Sequence, residues 1–292
     1  MKRLIAILFA LFGLAPLAAQ EAAFPTIDAG ALGMGGITMT TLSDAHTIYN
    51  NPAFSLFALS PMKLSTSYYG QSDFDYYAAS GYWRFDTRNA LQAGWRQYLR
   101  EKGNHDSALD IGYSRRLNER LAVGVVGRYM HLKRPEGDAD ALAADLCAAW
   151  SLPLEGIGSY STVRAGVKLA NLGGFFGHSG RRLPAELKAG AALDTFYSDA
   201  HELTLAAEAD YCFTPCALRG FRAAVGAEYA LMQLLQFRAG YHFGERKSYY
   251  PSFGSLGVGV RFLHLRVDFA YLLASRDTYL HNTYSISFGL DF

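Results

Sequence analysis

Tyr284-Ser285-Ile286-Ser287-Phe288-Gly289-Leu290-Asp291-Phe292 puts a large apolar side chain at every second position and a small or polar one between. Period two is the signature of a β-strand whose two faces meet different surroundings. A soluble sheet rarely ends on an apolar side chain with no polar tail. The closing strand of an outer-membrane barrel does, because lipid lies outside it and a polar lumen inside. An ordinary edge strand is the competing reading, and the rest of the chain decides between the two.

Hydrophobic residues make up 50% of the 292, aromatics 14% and charged residues only 18%, below the roughly 25% of ordinary soluble domains. From Met62 onward the apolar residues are dispersed in alternation. About fourteen segments of strand length follow, at 62–70, 74–86, 89–100, 107–116, 119–131, 141–152, 161–170, 184–195, 201–212, 219–231, 234–243, 255–263, 264–274 and 282–292. The clearest set Leu203, Leu205, Ala207, Ala209 and Tyr211 against Glu202, Thr204, Ala206, Glu208 and Asp210, and Phe221, Ala223, Val225, Ala227 and Tyr229 against Arg222, Ala224, Gly226 and Glu228. The facing of the second segment is the least distinct.

Connections after even-numbered segments are mostly short, such as Asp86-Thr87-Arg88 and Met232-Gln233, while those after odd-numbered ones are longer and more polar. An even barrel with both termini in the periplasm has this asymmetry, and a soluble β-sandwich has no reason for it. The fold predicted is all-β, a transmembrane antiparallel β-barrel of about fourteen strands over residues 62–292, in the bacterial outer membrane. In that setting Val225→Arg should cost roughly 2–4 kcal/mol and Gly226→Ser much less.

Lys2 and Arg3, an apolar run from Leu4 to Leu14 and small residues up to Ala19 read as a secretory signal peptide over residues 1–19. A membrane anchor is the alternative, but the run is shorter than the ~20 residues a bilayer requires. Residues 20–61 form a separate segment. Its glycine-rich Asp28-Ala29-Gly30-Ala31-Leu32-Gly33-Met34-Gly35-Gly36 meets neither the dinucleotide nor the P-loop spacing. Ser43 to Tyr49 has the start of a short helix capped by Ser43 or Asp44, and Pro52 ends it through Asn51.

Ala31-Leu32-Gly33-Met34-Gly35-Gly36, followed by Asp44-Ala45 and Asn51-Pro52-Ala53, resembles the N-terminal region of the FadL-like outer-membrane barrels, in particular the PorV/PorQ branch of Bacteroidetes. Lys168 to Gly173, Leu183 to Gly190 and Leu235 to Tyr241 extend the resemblance over nearly the whole mature chain. The resemblance implies a fourteen-stranded barrel with the N-terminal segment inside it as a hatch or plug, marked by Gly33, Gly35, Gly36, Asp44, Asn51 and Pro52. It also implies either a scaffold or shuttle role in type IX protein secretion and surface attachment, or a channel for hydrophobic small molecules. The terminal Phe292 resembles the signal that the barrel assembly machinery reads.

On this facing the lumen holds Arg96, Arg128, Arg164, Lys168, Lys188, Arg222, Arg238, Arg261 and Arg266 against Asp110, Asp145, Glu186, Glu202, Glu208, Asp210, Glu228 and Asp268. A selective ion pore favours a ring of one sign, so near-cancellation points to ion pairs bracing the wall. Inward glycines, among them Gly166, Gly226, Gly240 and Gly257, make room for the N-terminal segment or for a solute path. A hydrophobic ligand would meet Leu32, Met34, Ile37, Met39, Leu42, Ile48, Phe54, Leu56 and Phe57, unless these only pack the hatch. A protein partner would meet Phe175, Phe176, Arg181, Arg182, Arg246, Tyr249 and Tyr250 on the outer loops, aromatic and Arg positions of the kind that dominate binding surfaces.

The net charge of +1 excludes nucleic acid as a partner, since that needs a basic face. No HExxH or GxSxG is present, and no catalytic residue, metal or cofactor is expected. Cys212-Phe213-Thr214-Pro215-Cys216 lies at an outer loop, where a Cys212–Cys216 disulfide suits an oxidising compartment. Two Cys without nearby His are a weak metal site. Outer-membrane lipid, the assembly machinery, and either secretion proteins or a hydrophobic ligand are the expected partners.

Overall fold

The computed structural model describes residues 24–42, 45–71, 74–100, 104–133, 137–177, 183–214, 219–244 and 251–292. The expected signal peptide, residues 1–19, lies outside them. The first seven strands are β1 Met62–Gln71, β2 Phe74–Arg84, β3 Asn89–Arg100, β4 His105–Arg116, β5 Leu121–Lys133, β6 Ala139–Leu154 and β7 Tyr160–Phe175. The rest are β8 Glu186–Ser198, β9 His201–Cys212, β10 Gly220–Leu231, β11 Leu235–Phe243, β12 Phe253–Phe262, β13 Leu265–Leu273 and β14 Tyr284–Asp291. Each pairs antiparallel with its neighbour in sequence, and β14 returns to β1, so the sheet is closed. At this seam Ser287 lies opposite Ser67, and the Phe292 N–H donates to the Met62 carbonyl at 2.9 Å.

Burial is inverted relative to a soluble protein. Ile111 is 62% exposed while the adjacent Asp110 is fully buried. The same holds for Phe288 against Ser287 and for Phe221 against Arg222. A closed wall leaves no backbone edge unpaired, and its apolar exterior needs hydrocarbon rather than water. The chain is an outer-membrane β-barrel.

Two strands are longer than the alternation predicts. β6 and β7 were expected over 141–152 and 161–170, and Phe175 within the following loop. Asn171 steps out of the ladder with φ 58°, the register shifts between Ala144 and Leu146, and pairing then resumes at Leu172. Gly173 and Gly174 carry no side chain, so the extension leaves no period-two signal in the sequence. In β2 tyrosines occupy both faces, with Tyr76 and Tyr82 inward and Tyr77 outward, which is why its facing is indistinct.

Before the barrel, a helix α1 spans Ala29–Gly33, where Asp28 Oδ1 accepts the Gly30 N–H at 2.9 Å. The helix expected after Ser43 is a 3₁₀ turn, Ala45–Ile48, with Ser43 and Asp44 outside the described residues. Pro52 does more than end it. It opens a second 3₁₀ helix, Pro52–Leu56, for which Asn51 is the cap, because proline's fixed φ and missing donor suit a first helical position.

Candidate functional site

Residues 24–42 and 45–58 run along the inner face of the wall, held by backbone groups that strand side chains satisfy. Ser285 Oγ donates to the Ile27 carbonyl at 2.7 Å, and Ser287 Oγ accepts the Ala29 N–H at 3.0 Å. Ser255 Oγ accepts the Gly35 N–H at 2.8 Å and donates to the Gly33 carbonyl at 3.0 Å. Lys168 Nζ donates to the carbonyls of Tyr49 and Asn50, and Gln92 Nε2 to that of Pro52 at 2.7 Å. His46, fully buried, bridges Ser67 and Ser80 at 2.6 and 2.7 Å. Unmade backbone hydrogen bonds are expensive in a dry interior, so these contacts specify where the segment lies.

The motif residues serve this docking. Gly33 abuts Gly257, where an added Cβ would lie 3.1 Å from the glycine Cα. Gly35 and Gly36 have φ of 81° and 82°, and Gly35 fits against the Tyr241 backbone. Asn51 Nδ2 donates to the Ala148 carbonyl at 2.9 Å. Inward glycines meet the segment directly: a Cβ at Gly166 would lie 2.2 Å from the Met39 carbonyl, and one at Gly240 2.1 Å from the Met34 carbonyl carbon. Ile37 packs on Ala192, Ala206 and Ala224, and Phe54 and Leu56 pack among Ala90, Ala122 and Ala149.

The lumen charges pair across strands. Arg96–Asp110 (2.9 Å), Asp110–Arg128 (2.6 Å), Arg128–Asp145 (2.9 Å) and Asp145–Lys168 (2.9 Å) step from β3 to β7. Arg222 binds Glu186 at 2.8 Å and Asp210, and Arg238 bridges Glu228 and Asp268. Glu208, beside Lys188, has a second role. Its carboxylate accepts the Thr38 and Met39 N–H groups at 2.6 and 2.8 Å, because those donors have no other acceptor in the segment. Arg164–Asp194 and Lys63–Asp291 complete the network with Asp194, Lys63 and Asp291, which the expected set omits.

On the outer-loop side of the segment the lumen opens into a cavity of about 180 Å³. One side is apolar: Phe24, Leu32, Tyr69, Tyr98, Phe253, Leu272 and Leu280. The other carries Glu186, Lys188, Asp210 and Arg222, which are paired with one another. A smaller, more polar cavity of about 90 Å³ lies across Phe24–Thr26, beside Arg96, Arg128, Asp145 and Lys168. The Arg96 guanidinium lies 4.5 Å from both the Phe24 and Tyr49 ring centres, which holds Phe24 between the two spaces. Of the apolar residues expected to meet a ligand, Leu32 lines the large cavity, whereas Ile37, Ile48, Phe54 and Leu56 are buried in packing.

The wall irregularity borders the same cavity. Asn171 lines it, takes Asp145 Oδ1 on its backbone N–H at 2.7 Å and donates through Nδ2 to the Pro184 carbonyl at 2.8 Å. Outside, at the same height, a groove runs past Gly127, Ala144, Gly173 and Gly174, rimmed by Tyr129, Leu142 and Phe176, and reaches Arg128. These small residues lie beside the side chains of Leu109, Ile111 and Leu172, which line the same groove.

Among the outer-loop candidates, Phe175 packs against the cluster of Met130, Leu132 and Leu183, and Phe176 is 55% exposed. Arg181, Arg182, Arg246, Tyr249, Tyr250 and Cys216 lie outside the described residues. Cys212 is a buried thiol that donates to the Thr214 carbonyl, and its expected disulfide partner lies outside the described residues.

No protein-family model and no curated protein matches the chain by sequence. Solved structures do match in fold. The CymD monoaromatic hydrocarbon channel is 16% identical, with a TM-score of 0.54 over 93% of this chain and 98% of that one. The Ralstonia pickettii toluene transporter TbuX gives 13%, 0.53, 93% and 99%, and a Pseudomonas aeruginosa FadL homologue 13%, 0.57, 92% and 99%. At these identities the likeness establishes the fold. It bears out the fourteen-strand barrel fold and does not single out the PorV/PorQ branch.

Proposed function

We propose that this barrel is a channel for small hydrophobic molecules, with the N-terminal segment as its hatch. The observation that carries the reading is the half-apolar cavity of about 180 Å³ at the outer-loop end. A dry apolar cavity of about 150 Å³ is enough to hold a benzene ring, so a single-ring hydrocarbon is the fitting class of ligand. The structural likeness to a monoaromatic hydrocarbon channel and a toluene transporter supports the same class. The way on to the periplasm leads through paired buried charges, which an apolar solute does not favour. The alternative exit is sideways, past the register shift at Asn171, which would require the pairing of β6 and β7 to open there. A PorV/PorQ-type secretion scaffold is the second reading, and the exposed Phe176 is the described feature that favours it.

Toluene binding to the purified, detergent-solubilised barrel, followed by saturation-transfer NMR, tests the proposal. The wild type is expected to bind, and Leu272→Asn, which places an unpartnered amide in the apolar side, is expected to weaken binding about tenfold or more. No toluene binding by the wild type, together with a protein recovered on the barrel from outer membranes, would favour the secretion reading instead.

A further inference from the structure

The short-turn end of the barrel is not uniform around its circumference. Arg84 closes β2, Arg88 lies in the β2–β3 turn, Arg115 and Arg116 close β4, and Arg120 lies in the β4–β5 turn. The other four turns at this end, residues 155–159, 199–200, 232–234 and 263–264, contain no Lys or Arg. The five arginines share one sector, since Asn89 pairs with Arg115 and the Arg116 N–H donates to the Arg88 carbonyl at 2.7 Å.

None of the five forms an ion pair with a described residue, whereas Arg96, Arg128, Arg164, Arg222 and Arg238 in the lumen all do. The two acids of this sector, Asp86 and Glu119, do not neutralise five arginines. The Asp86 carboxylate is taken by the N–H groups of Arg88 and Asn89 at 2.6 Å and by Asn89 Nδ2 at 2.7 Å, which close the turn. Arg84 donates to the Ala58 and Leu59 carbonyls, and the Arg116 guanidinium lies 5.1 Å over the Phe57 ring. These two hold the end of the N-terminal segment. Arg88, Arg115 and Arg120 are exposed and form no ion pair with a described residue, although Arg115 is close enough to Asp86 to stabilise its carboxylate.

Their height is set by their neighbours. Arg115 follows Tyr113 on the lipid-facing phase of β4, and exposed Trp83, Phe85, Leu117 and Trp150 surround the same end of the wall. Aromatic side chains in this position mark the interface between hydrocarbon and headgroups. Guanidinium groups just beyond that line are at phosphate level, where the planar fork binds phosphate through two parallel hydrogen bonds. Short turns face the periplasm in such barrels. We propose that Arg88, Arg115 and Arg120 form a binding site for the anionic headgroup of a phospholipid in the periplasmic leaflet, which seats the β2–β5 sector of the barrel against the membrane.

Native mass spectrometry of the full barrel released from vesicles of equal phosphatidylglycerol and phosphatidylethanolamine tests this. Phosphatidylglycerol adducts are expected to exceed phosphatidylethanolamine adducts, and the excess is expected to fall about tenfold or more in the Arg88→Gln, Arg115→Gln, Arg120→Gln triple variant. His264→Gln, in a turn across the barrel, should leave it unchanged, and heat-modifiable gel mobility shows that each variant is folded. Equal adducts of the two lipids, or a preference that survives the triple substitution, overturn the proposal. Arginine-dependent binding of polyglutamate without any lipid preference also overturns it, in favour of an acidic protein partner.

Discussion

Gly240→Leu is expected to push the N-terminal segment off the wall and open the lumen to ions. Gly226 and Gly240 are opposite each other on β10 and β11, and both face the backbone of Met34. A Cβ at Gly240 would lie 2.1 Å from the Met34 carbonyl carbon and 2.2 Å from the Gly35 nitrogen. These are main-chain atoms, and no side-chain rotation relieves the overlap. Overpacking of this kind costs roughly 1–3 kcal/mol, and the ladders of β10 and β11 are stronger than the few hydrogen bonds that fix residues 33–36. The segment gives way before the barrel does. Planar-bilayer conductance should rise above that of the wild type, and limited proteolysis should newly cut within residues 24–42. Unchanged conductance and protection would mean that the segment does not close the lumen at this point.

Val225→Arg is expected to destabilise the barrel by roughly 2–4 kcal/mol, the depth-dependent penalty for a cation on the lipid face. Val225 is 46% exposed, near the middle of β10, between Ala207 and Tyr241 on the flanking strands. It has no lumen to turn into. Phe262→Arg, at the end of β12 beside a short turn, should cost only about 0–1 kcal/mol because the side chain reaches headgroups. Urea titrations of refolding into lipid vesicles measure both. Equal costs would mean that the hydrocarbon layer is not centred where the apolar belt lies.

Alternation made the wall legible because it is imposed residue by residue. β9, β10 and β14 read out directly, with Leu205, Val225 and Phe288 outward and Glu208, Arg222 and Ser287 inward. The cavity was harder to see. Tyr69, Tyr98, Phe253 and Leu272 occupy the inward phase of strands whose other inward residues include Ser67, Arg96, Ser255 and Asp268. Large apolar residues on the polar phase near outer strand ends are a readable signal, but only once the phase is trusted. Asn171 was hidden for another reason: its positive φ and the register shift depend on pairing across β6 and β7, which no single strand records.

The inward glycines show where alternation misleads. By facing alone Gly226→Ser is mild, since the side chain enters a polar lumen. In the structure a Cβ there would lie 2.4 Å from the Met34 carbonyl oxygen, so the substitution should resemble Gly240→Leu in kind, on a smaller scale. Facing is local to a strand, whereas the segment that fills the space comes from residues far away in the chain. The same distance hid the role of Glu208, which accepts the Thr38 and Met39 amides as well as feeling the charge of Lys188.

Spin labels placed one at a time along β10, with the native cysteines replaced by serine and the barrel in lipid bilayers, address the inverted wall most directly. Labels at Phe221, Ala223, Val225 and Ala227 should relax strongly with oxygen, which concentrates in hydrocarbon, and weakly with a water-soluble nickel complex. Labels at Ala224 and Ala230 should respond weakly to oxygen. If the first set proved shielded from both reagents, as in an interior packed between two sheets, or open to the nickel complex, the barrel would not face lipid with its apolar phase.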